Sequence, residues 1–347
     1  MITNLQATVP TRVLILSDTH GRNDISITSS FDLAIHCGDL TEGSRIAEFR
    51  STLDLLRAVP SPTKVVIAGN HDITLEKETF LKHLHAAGVK CTDPAATKEY
   101  GQIDEARALL RDAEHEGIHF LEEGLHTLDL ANGARVSLYV NPQTPRSKSE
   151  GALGDSEAGW AFQYDASSSQ RRFDLAQRVD IFVTHGPPEG VLDYTGDRRA
   201  GCPSLFAAVA RARPQLHCFG HVHAGWGAKL VTWRGTPSNI EKPCHFTAID
   251  NDASVVLERL NFLKPGKFDS EEVKVEKCGK LDKMLALGYC QLERKVVKES
   301  KIEETTVEGT MVEEGSQTLF VNAAVQGDEE MPAQPPISTV LNLPRSS

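Results

Sequence analysis

The sequence predicts an α/β protein whose strands deliver polar side chains to one edge of a sheet. Three apolar runs in the first 72 residues end in Asp18, Asp39 and Asn70, with helical or loop material between them, the rhythm of βαβ-type units. Two later apolar runs end in His185-Gly186 and in Gly220-His221-Val222-His223. Between the two groups, apolar segments flank Asn132-Gly133, a strong hairpin signal. Ligands of open α/β sheets gather beyond the carboxyl ends of strands, so these polar ends mark a site.

Composition bounds the function. A chain of 347 residues can bury a large core as one large domain or two small ones. Hydrophobic content of 40% and charged content of 24% are ordinary for a globular protein. A formal charge of −11 argues against non-specific binding to nucleic acid or to an anionic membrane surface. It still allows a small phosphorylated substrate, because a metal can supply local positive charge. The seven cysteines are scattered, with no Cys-x-x-Cys pair, and read as reduced, mostly buried thiols of a cytoplasmic or nuclear protein. The N-terminus lacks a basic region followed by an apolar run, so no secretory signal is expected. No apolar run approaches the ~18 residues of a membrane span.

Residues 12–18 form the first strand and continue into Asp18-Thr19-His20-Gly21, where a carboxylate and an imidazole two residues apart can face one ion. Residues 32–39 repeat the pattern and end in Gly38-Asp39. Ile46, Phe49, Leu53 and Leu56 recur at helical spacing, and Pro60 and Pro62 close that helix. Residues 64–72 are a strand broken by Gly69. Asn70 offers a neutral oxygen ligand, His71 a ligand or a proton donor, Asp72 a carboxylate.

Residues 73–112 read as helices and loops, with Leu75, Phe80, Leu81 and Leu84 on one face and His83 and His85 on the surface. Residues 118–140 read as β structure, and His115, His119 and His126 read as structural or exposed rather than ligands. Residues 141–159 read as a mobile loop. The aromatic cluster Gly159-Trp160-Ala161-Phe162-Gln163-Tyr164 reads first as packing, second as a pocket wall stacking on a nucleobase.

Residues 179–186 and 215–223 are strands, with an Ala-rich helix over 204–212 between them. On an extended segment, His221 and His223 point the same way. Residues 246–262 hold alternating apolar positions, and 266–316 is charged, with a helix expected near 281–298 and a solvated, disordered stretch after it. Residues 318–325 and 337–343 are strand-like again, so the last strands return to the main domain and 236–316 is an acidic, charged insertion.

Asp18, His20, Asp39, Asn70, His185, His221 and His223 thus offer mixed oxygen and nitrogen ligands, which suit Mn, Fe or Zn better than Ca or Mg. Their number exceeds what one ion needs, and two divalent metal ions sharing a carboxylate would use them all. In this order and these contexts, Asp18-x-His20, Gly38-Asp39, Gly69-Asn70-His71-Asp72, His185 and Gly220-His221-x-His223 resemble the calcineurin-like metallophosphoesterase family. Thr184-His-Gly-Pro-Pro188, Arg199-Ala-Gly-Cys202, the run 220–227 and Thr318-Leu-Phe-Val-Asn-Ala-Ala324 draw the resemblance toward its small metallophosphoesterase-domain subgroup. The resemblance covers about 12–234 and 317–345; the insertion and the 146–158 loop depart from it.

The resemblance implies a four-layer αββα sandwich. It places Asp18, His20, Asp39 and His223 on one ion, and Asp39, Asn70, His185 and His221 on the other. It implies in-line attack on phosphorus by a water activated between the ions, protonation of the leaving alkoxide by His71, and Asp72 or Glu42 orienting that ring. Retention of both His221 and His223 favours a competent site. The expected activity is hydrolysis of a small phosphoester, with cyclic nucleotides in view. The alternative is a nucleotide-binding scaffold with vestigial hydrolysis, whose protein partner docks on the 236–316 insertion. A protein phosphatase or nuclease is a third reading, the nuclease being weakest for want of a basic stripe.

Overall fold

The alternation of side chains along each strand decides the layers. The computed structural model describes residues 7–146, 159–165, 173, 178–235, 243–297, 304–307, 315–329 and 331–346. The strands are β1 (Thr8–Leu16), β2 (Leu33–His36), β3 (Thr63–Val66), β4 (Ile118–Phe120), β5 (Gly124–Asp129) and β6 (Arg135–Asn141). The two-residue strands β7 (Thr144–Pro145) and β8 (Gln163–Tyr164) follow, then β9 (Ile181–Thr184), β10 (Leu216–Phe219), β11 (Gly227–Trp233) and β12 (Ile249–Arg259). The chain continues with β13 (Cys290–Gln291), β14 (Arg294–Val297), β15 (Glu304–Val307), β16 (Gln317–Asn322) and β17 (Ile337–Pro344). Helices α1 (Ile46–Ala58), α2 (Lys77–Ala86), α3 (Pro94–Tyr100) and α4 (Glu105–Asp112) precede α5 (Pro203–Ala212), the short α6 (His245–Ala248) and α7 (Glu271–Leu287).

A six-stranded sheet runs β13-β17-β1-β2-β3-β4, and a seven-stranded sheet runs β12-β11-β16-β10-β9-β6-β5. Strands β1 to β4 are parallel neighbours, as are β6, β9, β10 and β16. Ile15, Ile35 and Val65 of the first sheet share one core with Leu138, Val183, Cys218 and Val321 of the second, so the two sheets face each other. The outward residues Val66 and Ala68 pack on Phe49 and Leu53 of α1 and Leu110 of α4. Phe182, Phe219 and Phe320 pack on Leu205, Phe206 and Val209 of α5. The order is therefore helices, sheet, sheet, helix, the αββα sandwich. Strands buried on both faces need apolar residues throughout, which is why they read as unbroken runs.

Several expectations shift. Leu75, Phe80 and Leu84 are buried, but Leu81 is exposed, because its turn of α2 faces outward. The helix expected near 281–298 is α7, which begins at Glu271 behind a Ser270 N-cap and ends at Gly288 in the left-handed conformation. The described parts of 236–316 extend both sheets: β12 pairs with β11, and β13 pairs with β17. Glu304–Val307, within the stretch read as disordered, is a strand paired antiparallel with Arg294–Val297. The segments 298–303 and 308–314 of that stretch, and 147–158 of the loop read as mobile, lie outside the described residues. Asn132-Gly133 does close a hairpin, between β5 and β6. Among the described residues no helix is long and apolar enough to cross a membrane, and all seven cysteines are free.

Candidate metal centre

The site lies where β1, β2 and β3 of one sheet and β9 and β10 of the other run out. Their ends are laced together: Asp18 N–H donates to the Gly38 carbonyl, His20 N–H to that of Asp39, and Gly220 N–H to that of His185. Asp18, His20, Asp39 and His221 all have positive φ, at 53°, 49°, 52° and 65°. Left-handed backbone is costly for residues other than glycine and clusters at functional sites. Here it turns each ligand out of its strand. It also corrects the extended reading of His221 and His223. The chain reverses at His221, and the two imidazoles join different groups of ligands.

Three glycines leave room for ligand side chains. A Cβ on Gly220 would stand 1.9 Å from Asp18 Oδ2, and one on Gly69 would stand 2.2 Å from Asp39 Oδ1. Gly38, at φ +97°, would place a Cβ 2.7 Å from His185 Nδ1.

Two groups of potential ligands each hold a buried carboxylate, Asp18 with His20 and His223, and Asp39 with His185 and His221, and a third joins His20 with Glu42 and His71. His223 Nε2 is 3.3 Å from Asp18 Oδ1, and His185 Nε2 is 3.3 Å from Asp39 Oδ1. Asn70 joins the second group, its Oδ1 2.9 Å from His185 Nε2. Asp39 faces both, since its Oδ2 is 3.9 Å from His20 Nε2. His185 Nδ1–H donates to the Cys37 carbonyl at 2.9 Å, which leaves Nε2 for an ion.

The electrostatics call for cations. Burial would raise the Asp39 carboxyl, yet the charge and hydrogen bond of His185 hold it well below the usual range. Burial likewise opposes ionisation of Asp18, and His223 overcomes it. Burial would lower His20 and His185, but Glu42 and Asp39 raise the first to about 9 and Asp39 raises the second to about 9. Burial pushes His221 down to about 4. Protons on two imidazoles thus occupy the electrostatic place of metal charge. His20 Nε2 is buried without a hydrogen-bond partner among the described residues. The carboxylates and the imidazole nitrogens fit a pair of divalent ions.

His71 lies at the rim, with its ring 4.8 Å from that of His20. Its backbone N–H donates to Asp39 Oδ1 at 2.9 Å. Its Nδ1–H donates to the backbone carbonyl of Glu42 at 2.8 Å, which leaves Nε2 for chemistry. Orientation of His71 was expected of Asp72 or of the Glu42 side chain. The Glu42 carbonyl performs it, while the Glu42 carboxylate approaches His20 Nδ1 at 2.9 Å. Asp72 is fully buried and accepts from the amides of Leu40, Thr41 and Gly69 and from the Thr41 hydroxyl. It braces the Asp39 loop against Gly69 and is a positioning group. Burial and the Asp39 charge raise its carboxyl to about 6.

One residue escaped the sequence reading. His36 is buried, with Nε2 2.9 Å from the Thr19 hydroxyl and Nδ1 accepting from Gly38 N–H at 3.3 Å, so it pins the segment between Asp18 and His20 to the Gly38 turn. A polar residue inside an apolar strand was its signal. Trp160 comes from the aromatic cluster and stands 4.4 Å from His71, ring to ring. Tyr164 instead packs inward, its hydroxyl donating to Cys202 Sγ. His83, read as a surface residue, is half-buried and bonds the Gly159 carbonyl at 2.6 Å.

The profile of calcineurin-like phosphoesterases matches residues 11–225, which include every ligand position named above. The chain belongs to the calcineurin-like phosphoesterase family. Metallophosphoesterase domain-containing protein 1 of Homo sapiens is 30% identical over 222 residues, 62% of this chain and 62% of that protein. A probable rhamnogalacturonate lyase C of Emericella nidulans is 30% identical over 224 residues, 64% of this chain and 18% of that protein. The chain thus spans less than two thirds of the length of either relative. The crystal structure of a phosphopantetheinyl hydrolase from Mycobacterium tuberculosis matches at a TM-score of 0.39 and 18% identity, over 72% of this chain and 97% of that one.

Proposed function

We propose that this chain is a metal-dependent phosphoesterase that hydrolyses a small phosphoester, with cyclic nucleotide phosphodiesters in its substrate class. The supporting observation is the pair of carboxylate–imidazole groups with Asp39 facing both and His71 at their rim. Asp18, His20 and His223 would hold one ion together with Asp39. Asp39, Asn70, His185 and His221 would hold the other. Two bound divalent ions supply a water of lowered pKa and charge that offsets the phosphoryl oxygens.

The residues do the rest. Asp72 keeps Asp39 in place through the amides it accepts. The Glu42 carbonyl fixes the His71 tautomer, so that Nε2 can carry a proton to the leaving oxygen. The formal charge of −11 favours a small substrate drawn in by metal over a polyanion held by a basic surface. Incubation with Mn, Fe or Zn and a panel of 3′,5′-cyclic nucleotides and 4-nitrophenyl phosphoesters tests the reading. Protein carrying two metal equivalents should turn over at least one of them; two bound equivalents and no hydrolysis of any would refute it.

A further inference from the structure

Trp160 sits beside the proposed acid rather than beside the metal ligands. Its ring centroid is 4.4 Å from that of His71, with the planes 32° apart. The backbone carrying it is fixed without help from the indole. His83 Nε2 bonds the Gly159 carbonyl at 2.6 Å, and Ala161 N–H donates to the Asn70 carbonyl at 3.2 Å. Phe162 N–H donates to Glu76 at 3.2 Å, and the Phe162 carbonyl accepts from Thr144 N–H at 2.9 Å. Ala161 and Tyr164 supply the buried contacts of the segment. The other two tryptophans are core residues, Trp226 bonded to the Pro335 carbonyl and Trp233 to the Thr318 hydroxyl. Trp160 is half-buried at the mouth.

This placement has a chemical meaning that rests on the phosphoesterase reading. A proton donor must come within about 3 Å of the leaving oxygen. Whatever is attached to that oxygen then lies against the indole. An indole face favours flat π surfaces, and stacking on a base is worth roughly 5- to 150-fold in affinity. The Glu42 carboxylate beside His20 is 61% exposed and disfavours an anionic group there. We propose that Trp160 is a specificity residue for the leaving group, selecting phosphoesters whose leaving alcohol carries an uncharged flat ring, such as a nucleoside.

Two ligands with the same phosphate, adenosine 5′-monophosphate and ribose 5-phosphate, separate stacking from metal binding. Calorimetric titration of the Mn-loaded protein should show the nucleotide bound more tightly by about 10- to 100-fold. W160L, which keeps apolar bulk, and W160A should erase that advantage and leave the ribose 5-phosphate affinity within about twofold. W160F should retain most of it. A native protein without the preference, or a W160L variant that keeps it, overturns the proposal, as does equal weakening of both ligands in variants that still bind two Mn. Failure of the phosphoesterase reading shows separately, as absent turnover in the native protein with the nucleotide preference intact.

Discussion

The two sheets bring unlike halves of the candidate metal centre together. The six-stranded sheet carries Asp18, His20, Asp39, Asn70 and His71 at its strand ends, and so brings both carboxylates, the amide oxygen and the proposed acid. The seven-stranded sheet carries His185, His221 and His223, imidazoles alone. One sheet holds the negative charge that attracts a cation, and the other holds three of the four imidazole donors, which favour borderline transition metals over Mg or Ca. Each group of ligands draws on both sheets, so occupancy couples them at this edge.

This asymmetry can be broken in order of effect. Asp39→Ala removes the one carboxylate facing both groups; metal by mass spectrometry should fall from two equivalents to one or none, with hydrolysis at background. His185→Ala, on the nitrogen side, should retain one equivalent. Equal loss in both variants would show that the sheets do not differ in this way. Next, His71→Ala should cut turnover about 10²- to 10⁴-fold while two metals remain bound. Retained turnover would remove His71 as the acid.

Asp72→Ala strands three backbone amides in the loops that follow β2 and β3 and should cost about 3 kcal/mol in urea unfolding, far more than loss of a solvated carboxylate. The smallest effect is protonic. His20 and His185, raised to about 9, are protonated at pH 7, so metal binding must displace protons. Affinity should rise with pH by up to about tenfold per unit per proton until about pH 9, then level off. Calorimetry in buffers of different ionisation enthalpy counts those protons; a value of zero would contradict the assigned ligands.

The candidate ligands were legible in the sequence because burial on both faces leaves each strand uniformly apolar, and a glycine or turn then marks where polarity begins. Gly38, Gly69 and Gly220 are small for a reason visible only in three dimensions, the approach of Asp18, Asp39 and His185 to their Cα atoms. Sheet membership was not legible. Only residues 121–123 separate β4 from β5, yet the two lie in different sheets, and β16 enters between β10 and β11 from far along the chain. Nor was the partner of His71 legible, because a backbone carbonyl leaves no mark in the side-chain pattern. The turn at His221 was hidden for a related reason. Its left-handed φ is imposed by the Asp18 carboxylate accepting the His221 amide at 3.0 Å from each oxygen, not by any glycine at that position.

The pairing of β1 with β17 places Thr8 opposite Pro344. At about 5–20 residues per second, a ribosome needs roughly 15–70 s to make the chain between them. During that interval β1 can pair with β2 on one side only, and its other edge stays open to foreign strands. The candidate metal ligands Asp18, His20 and Asp39 emerge early, on a sheet that cannot close until β17 arrives. The order of synthesis therefore opposes early completion of the site, and that edge of β1 stays open until β17 has been made.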